Sequence, residues 1–189
     1  MKRLAPALTL LVATPVLAQG DDDARFCPNR PSLVDTPCTV EPGRVLLEIG
    51  AVDWTLDRQG HAREDTLLIG DAQARIGFAD HAEFQLSWTA YGHDRRRGPR
   101  GVNIDSGVGD VRLAVRRNLF HPDGKGVSAA LEPYVTAPVG GGAIGEGDWG
   151  YGLVVPANYD LSDKLSVQVM GSVDAVSYTH LTLPTILRV

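Results

Sequence analysis

The sequence predicts an all-β protein, an antiparallel up-and-down meander forming the N-terminal part of a transmembrane β-barrel. Three observations carry this expectation. Extended segments of alternating polarity recur along the chain, their connections are short and long in strict alternation, and no segment holds a helical period long enough to compete.

The N-terminus sets the compartment. Lys2 and Arg3 precede an apolar run from Leu8 to Leu17, and small Ala18 follows with Val16 two positions before it. This is the pattern of a signal peptide over residues 1–18; the run is too short to span a bilayer as a helix, and the acidic segment Gly20 to Asp23 follows at once. Residues 19–43 then form an N-terminal periplasmic segment containing Cys27 and Cys38. In an oxidising compartment an even pair closing a small loop reads as a disulfide. A metal site would need further ligands, and the first histidine, His61, lies well downstream.

Seven extended segments follow over residues 44–176: Arg44 to Thr55, Thr66 to Phe78, Ala82 to Tyr91, Gly107 to Leu119, Val127 to Pro138, Trp149 to Tyr159 and Leu165 to Ala175. In the second, Leu68, Ala72, Ala74, Ile76 and Phe78 share a face opposed to Asp71, Gln73 and Arg75. The third sets Phe84, Leu86 and Trp88 against Glu83, Gln85 and Ser87. In the fourth, Val111, Leu113 and Val115 oppose Asp110, Arg112 and Arg116, with Arg117 interrupting the apolar side. The fifth opposes Val127, Ala129 and Leu131 to Glu132 and Tyr134, and the seventh opposes Val167, Val169 and Val173 to Gln168, Ser172 and Asp174. One face is dry and the other wet. The expected lumen-facing set is Asp71, Arg75, Glu83, Asp110, Arg112, Arg116, Glu132 and Tyr134, whose mixed signs suit pairing across strands.

A soluble sandwich alternates too, so connection lengths must discriminate. Short turns fall at Ala79 to His81, His121 to Lys125 and Leu161 to Lys164; long loops fall at Leu56 to Asp65, Gly92 to Ser106 and Val139 to Asp148. Short periplasmic turns and long outer loops are the asymmetry of outer-membrane barrels. Trp54, Tyr91, Trp149 and Tyr151 lie near the expected outer ends of the strands, and Phe78, Phe84, Phe120 and Tyr159 near the periplasmic ends, as two aromatic girdles would. Aromatics also flank turns in many β-proteins, so this observation leaves the sandwich open.

The segment Ser106 to Leu113 carries a Gly-x-Gly-Asp-hydrophobic-x-Leu pattern at the start of a strand. Pro122-Asp123-Gly124 follows in a turn, and then Pro133-Tyr134-Val135-Thr136-Ala137-Pro138-Val139-Gly140. Together these resemble the outer-membrane family named for the meta-cleavage pathway of phenol degradation, over about Gly43 to Asp174. The resemblance implies a barrel with a solute pathway and no assigned catalytic residues.

The sequence adds exclusions and expectations of its own. The net charge is −5 and no basic domain stands out, which argues against a nucleic-acid partner. The histidines are scattered, with neither metal-ligand spacing nor a nucleophile beside them, so no metal, cofactor or enzyme activity is expected. Arg95, Arg96, Arg97 and Arg100 form a basic cluster in an expected outer loop, with lipopolysaccharide phosphates as one candidate partner beside outer-membrane lipid. The leading expectation is an outer-membrane channel for small, hydrophobic or aromatic solutes. The alternative is a soluble periplasmic β-sandwich or lipocalin-like binding protein. From Ser177 onward the chain lacks acidic residues and glycine, places Pro184 in an extended run, and resembles translated adapter sequence. Residues 177–189 are therefore expected to be a non-native tail on a partial barrel of about seven strands.

Overall fold

Strand formation follows from the two-residue period, and pairing follows from connections that let neighbours run antiparallel. The computed structural model describes residues 25–30, 32, 34–60, 62–99, 101–140, 144–145, 147–162, 164–176, 181–182 and 185–187. The expected signal peptide, Arg100 and most of the tail lie outside them.

The strands are β1 (Val45–Gln59), β2 (Ala62–Ala79), β3 (Ala82–Gly98), β4 (Gly101–Gly107), β5 (Val111–Phe120), β6 (Val127–Ala137), β7 (Gly150–Ser162), β8 (Leu165–Val176), β9 (Leu181–Thr182) and β10 (Thr185–Leu187). They form one antiparallel sheet ordered β1-β2-β3-β5-β6-β7-β8-β10, with β4 on the far half of β3 and β9 on β8. The sheet curls into a half-barrel, and no helix occurs among the described residues. All seven expected strands are present as β1, β2, β3 and β5 to β8.

Two expected loops are instead strand. The segment Leu56 to Asp65 continues the β1–β2 ladder, with Asp57 opposite Glu64 and Arg58 opposite Arg63, and the last pair before the reversal is Gln59 with Ala62. Gly60 has φ +59, the conformation that tight hairpin turns require. Gly92 to Ser106 is a second ribbon, in which Gly92 to Gly98 of β3 pairs with β4. Polar residues on both sides of these ribbons erase the alternation from which strands are read, while leaving backbone pairing intact. Arg95, Arg96 and Arg97 of the basic cluster therefore sit on β3 rather than in a loop, and Arg100 lies outside the described residues.

The two faces separate by polarity in the reverse of a soluble protein's sense. On the convex face Val45, Leu47, Ile49, Phe84, Leu86, Leu113 and Tyr159 are all exposed. On the concave face Arg75, Glu83, Arg116 and Glu132 are among the largest fully buried side chains. The eight girdle aromatics, Trp54, Tyr91, Trp149, Tyr151, Phe78, Phe84, Phe120 and Tyr159, are all exposed, and Phe78 packs on Phe84 with ring centroids 4.3 Å apart.

One detail corrects the face assignment. Register is unbroken along β1–β2 and along β2–β3 from Arg63 to Gly77, yet the parity of the convex face changes near Ala51, Gly70 and Ala90. Below that level Ala72, Ala74 and Ile76 point outward. Above it, exposed Ile69 does so, opposite Val52 and Tyr91. Leu68, expected on the face of Ala72, lies opposite buried Gly92 on the concave side. Gly70, at φ +67, supplies the kink, because a single left-handed residue turns the following side chains over. A Cβ there would also sit 3.1 Å from the Ala90 Cβ. Gly70→Ala should therefore cost about 1–2 kcal/mol in a urea refolding titration. Gly98→Ala, with φ outside the left-handed range and open space around it, should be close to neutral. Equal stability of the two variants would contradict this account of the face switch.

Candidate functional site: a plugged polar trough

Strict alternation brings polar side chains from five neighbouring strands into one concave trough. Its floor is a buried ion network. Arg75 Nε donates to Glu83 Oε1 at 2.8 Å, and Arg116 Nε donates to Glu132 Oε2 at 2.7 Å. Arg116 Nη1 lies 3.6 Å from the same Glu83 oxygen, which joins the two pairs. Gln85 Nε2 bridges the carboxylates, donating to Glu83 at 2.8 Å and to Glu132 at 3.2 Å. Glu83 stands directly opposite Arg116 in the β3–β5 register, so strand pairing itself sets the geometry.

The described residues of the segment Arg25 to Pro42 cover this floor. Arg75 donates through Nη1 to the Cys27 carbonyl and through Nη2 to the Cys38 carbonyl, the latter at 2.9 Å. Glu83 accepts the Val40 N–H at 2.7 Å, and Glu48 Oε1 accepts the Asn29 and Arg30 N–H groups at 3.0 and 2.9 Å. Asn118 Nδ2 donates to the Pro37 carbonyl at 2.8 Å, and Arg30 pairs with Asp71. The two carbonyls that Arg75 grips belong to the disulfide-bonded residues Cys27 and Cys38, whose Cα atoms are 5.6 Å apart. The disulfide loop is thus a plug, held by charges that its own backbone helps to satisfy. It occupies the end of the trough nearest the short turns: Thr39 donates its N–H to the Pro122 carbonyl at 2.9 Å and its hydroxyl to the Asp80 carbonyl at 3.2 Å.

Beyond the plug the trough opens into a polar cavity of about 310 Å³, lined by residues that include Arg30, Asp71, Gln73, Ser87, Arg112 and Glu132. The Arg112 guanidinium carbon lies 3.5 Å from the centroid of the Tyr134 ring, whose hydroxyl donates to Asp174. Six of the eight expected lumen residues, Asp71, Arg75, Glu83, Arg112, Arg116 and Glu132, line the plug network or this cavity, and Tyr134 adjoins it. Asp110 does not: it precedes β5 and accepts the Gly140 N–H at 2.9 Å, so it fastens the chain just past β6.

Several residues were missed by the sequence reading. Glu48, Asn29 and Asn118 hold the plug, and of these only Asn118 shares the parity of Arg112 and Arg116, a signal that could have found it. The basic cluster divides by face. Arg96 pairs on the concave side with Glu64 and Asp94 at 3.0 and 2.9 Å, while Arg95 and Arg97 occupy the alternate positions and Arg100 lies outside the described residues. Among the described residues no group of three or more His, Cys, Asp or Glu side chains is placed to hold a metal ion.

Breaking a buried pair strands its partner charge, so Arg75→Met should cost about 3–5 kcal/mol. Glu83→Leu in the same background should recover part of that loss, which a double-mutant cycle measures; strict additivity would show that the network is not coupled. In unreduced, denatured protein neither cysteine should react with a thiol label, and labelling of both would contradict the tied plug.

Comparison with curated proteins and with solved structures gave no match. A family model described as "Putative MetA-pathway of phenol degradation" matches residues 28–182, from just past Cys27 through β9, and so takes in most of the plug, the ion network and the sheet from β1 to β9 together. The chain belongs to this phenol-degradation family.

Proposed function

We propose that the chain forms the wall and plug of an outer-membrane channel, a passive and non-enzymatic conduit for small solutes. The family's name, which points to phenol degradation, favours hydrophobic or aromatic ones. The observation that carries this reading is the inverted polarity. A sheet that buries Arg75, Glu83, Arg116 and Glu132 while exposing a continuous apolar face is matched to lipid outside and water inside.

The dimensions support it. Val45 to Leu56 places apolar side chains over eleven residue steps, about 36 Å along the strand and about 28 Å of height at the tilt usual for such barrels. That is close to the thickness of a hydrocarbon core, and the exposed aromatics lie toward its two limits. A furrow of about 540 Å³ on the convex face, lined largely by Ala74, Ile76, Phe84, Leu86, Leu113 and Val135, suits a lipid acyl chain. The soluble sandwich or lipocalin-like reading needs the apolar face to be a core, and among the described residues no second layer covers it.

In this reading the short turns face the periplasm, the ribbons face outward, and the plug closes the periplasmic mouth. A closed wall needs partners for β1 at one edge and, at the other, for the part of β8 that the short β9 and β10 leave uncovered, because unpaired backbone in hydrocarbon costs several kcal/mol per group. Passage needs the plug to leave the ion network. Leu86 is 46% exposed, so Leu86→Arg should be almost harmless in a water-soluble protein and should cost about 2–4 kcal/mol when folded into vesicles. Gln85→Leu should also destabilise, because Gln85 bridges two carboxylates. A chain that stays in the aqueous fraction with phosphatidylcholine vesicles, and that tolerates Leu86→Arg, would overturn the membrane reading.

A further inference from the structure

The ribbon formed by β1, β2 and β3 beyond the aromatic level separates charge by face. Successive convex rows are Val52-Ile69-Tyr91, Trp54-Leu67-His93, Leu56-Asp65-Arg95 and Arg58-Arg63-Arg97. The last row sets three guanidinium groups directly opposite one another on adjacent strands, with Arg95 one row below. Like charges facing each other across a ladder destabilise it. Asp65 is the one carboxylate in these rows, and Arg63 donates to it through Nε and Nη2, at 2.8 and 2.6 Å. That hydrogen-bonded fork holds the Asp65 carboxyl below its ordinary range, with Arg95 and Arg97 adding to the effect. Arg58, Arg95 and Arg97 make no hydrogen bond or salt bridge among the described residues. The concave face of the same ribbon is acidic, with Asp57, Glu64, Asp94 and Asp105 around Arg96. A ribbon serving only solubility would mix its signs, so the convex surplus of positive charge calls for an anion.

We propose that Arg58, Arg63 and Arg97, with Arg95 beside them, form a binding site for the phosphomonoester headgroup of a glycolipid such as lipopolysaccharide. The inference rests on the membrane reading above. The row lies four residues beyond Trp54, about 10 Å in height at the usual strand tilt, which is where headgroup phosphates stand when an aromatic belt marks the edge of the hydrocarbon. Guanidinium forks bind phosphate oxygens in pairs, and a phosphate between two facing arginines turns their repulsion into two attractions.

The test is flotation of the full chain with four kinds of vesicle. These are phosphatidylcholine alone and phosphatidylcholine with added diphosphoryl lipid A, with dephosphorylated lipid A, or with phosphatidylglycerol at matched charge. Diphosphoryl lipid A should raise partition by about fivefold per arginine, roughly a hundredfold for the row of three, and the dephosphorylated form should not. The combined Arg58→Gln, Arg63→Gln and Arg97→Gln variant should lose the gain. Arg117→Gln, an exposed arginine near the opposite end of the same face, should keep it. Lysine at the three positions should still favour anionic vesicles but lose the preference for lipid A over phosphatidylglycerol. Equal gains from the two anionic lipids in the parent chain, or a full gain in the glutamine variant, would overturn the site. Flotation with phosphatidylcholine and no gain from lipid A would remove this site alone, whereas flotation with none of the vesicles would remove the membrane reading and this site with it.

Discussion

The structure turns on the buried network of Arg75, Glu83, Arg116 and Glu132. Its charges balance, but four charged side chains out of water persist only if each is paired and most of their donors and acceptors are used. Strand pairing supplies part of that need by placing Glu83 opposite Arg116. The plug supplies more, since Arg75 has donors left over after Glu83 and the Cys27 and Cys38 carbonyls take them. Sheet curvature, plug position and disulfide are therefore interdependent: flattening the sheet separates the pairs, and withdrawing the plug leaves Arg75 short of acceptors.

This dependence explains what the sequence could tell. Seven strands, their order and their two faces were legible because side-chain alternation is a local property, and Phe84-Gln85-Leu86 displays it without reference to any partner. The ribbons were not legible, because Asp57, Arg58, Glu64 and Arg96 are polar on both sides and only pairing reveals them as strand. Leu68 was misplaced because a single glycine, Gly70, reverses the parity, and nothing in its neighbours announces a positive φ. The plug was seen only as a cystine loop: Pro28, Asn29 and Pro37 have no period, and their role consists of backbone groups that complete the valences of distant side chains.

The same inversion connects the trough to the surfaces. A polar interior that satisfies itself leaves the apolar residues nowhere to go but outward, which is why the convex face is apolar up to the aromatic level. Above the aromatics the demand changes again, and the convex face becomes cationic while the concave face becomes acidic. Three horizontal zones thus follow from one alternation rule combined with a change in which residues occupy each parity.

The three tryptophans, Trp54, Trp88 and Trp149, are all exposed, and Trp54 and Trp88 lie on the convex face. Their fluorescence is therefore a direct report on what that face touches. With the unaltered chain in phosphatidylcholine vesicles, lipids brominated along the acyl chain should quench most of the emission, and aqueous acrylamide should quench little. Strong acrylamide quenching with no effect of the brominated lipids would mean that the apolar face is not in lipid, and would contradict the account.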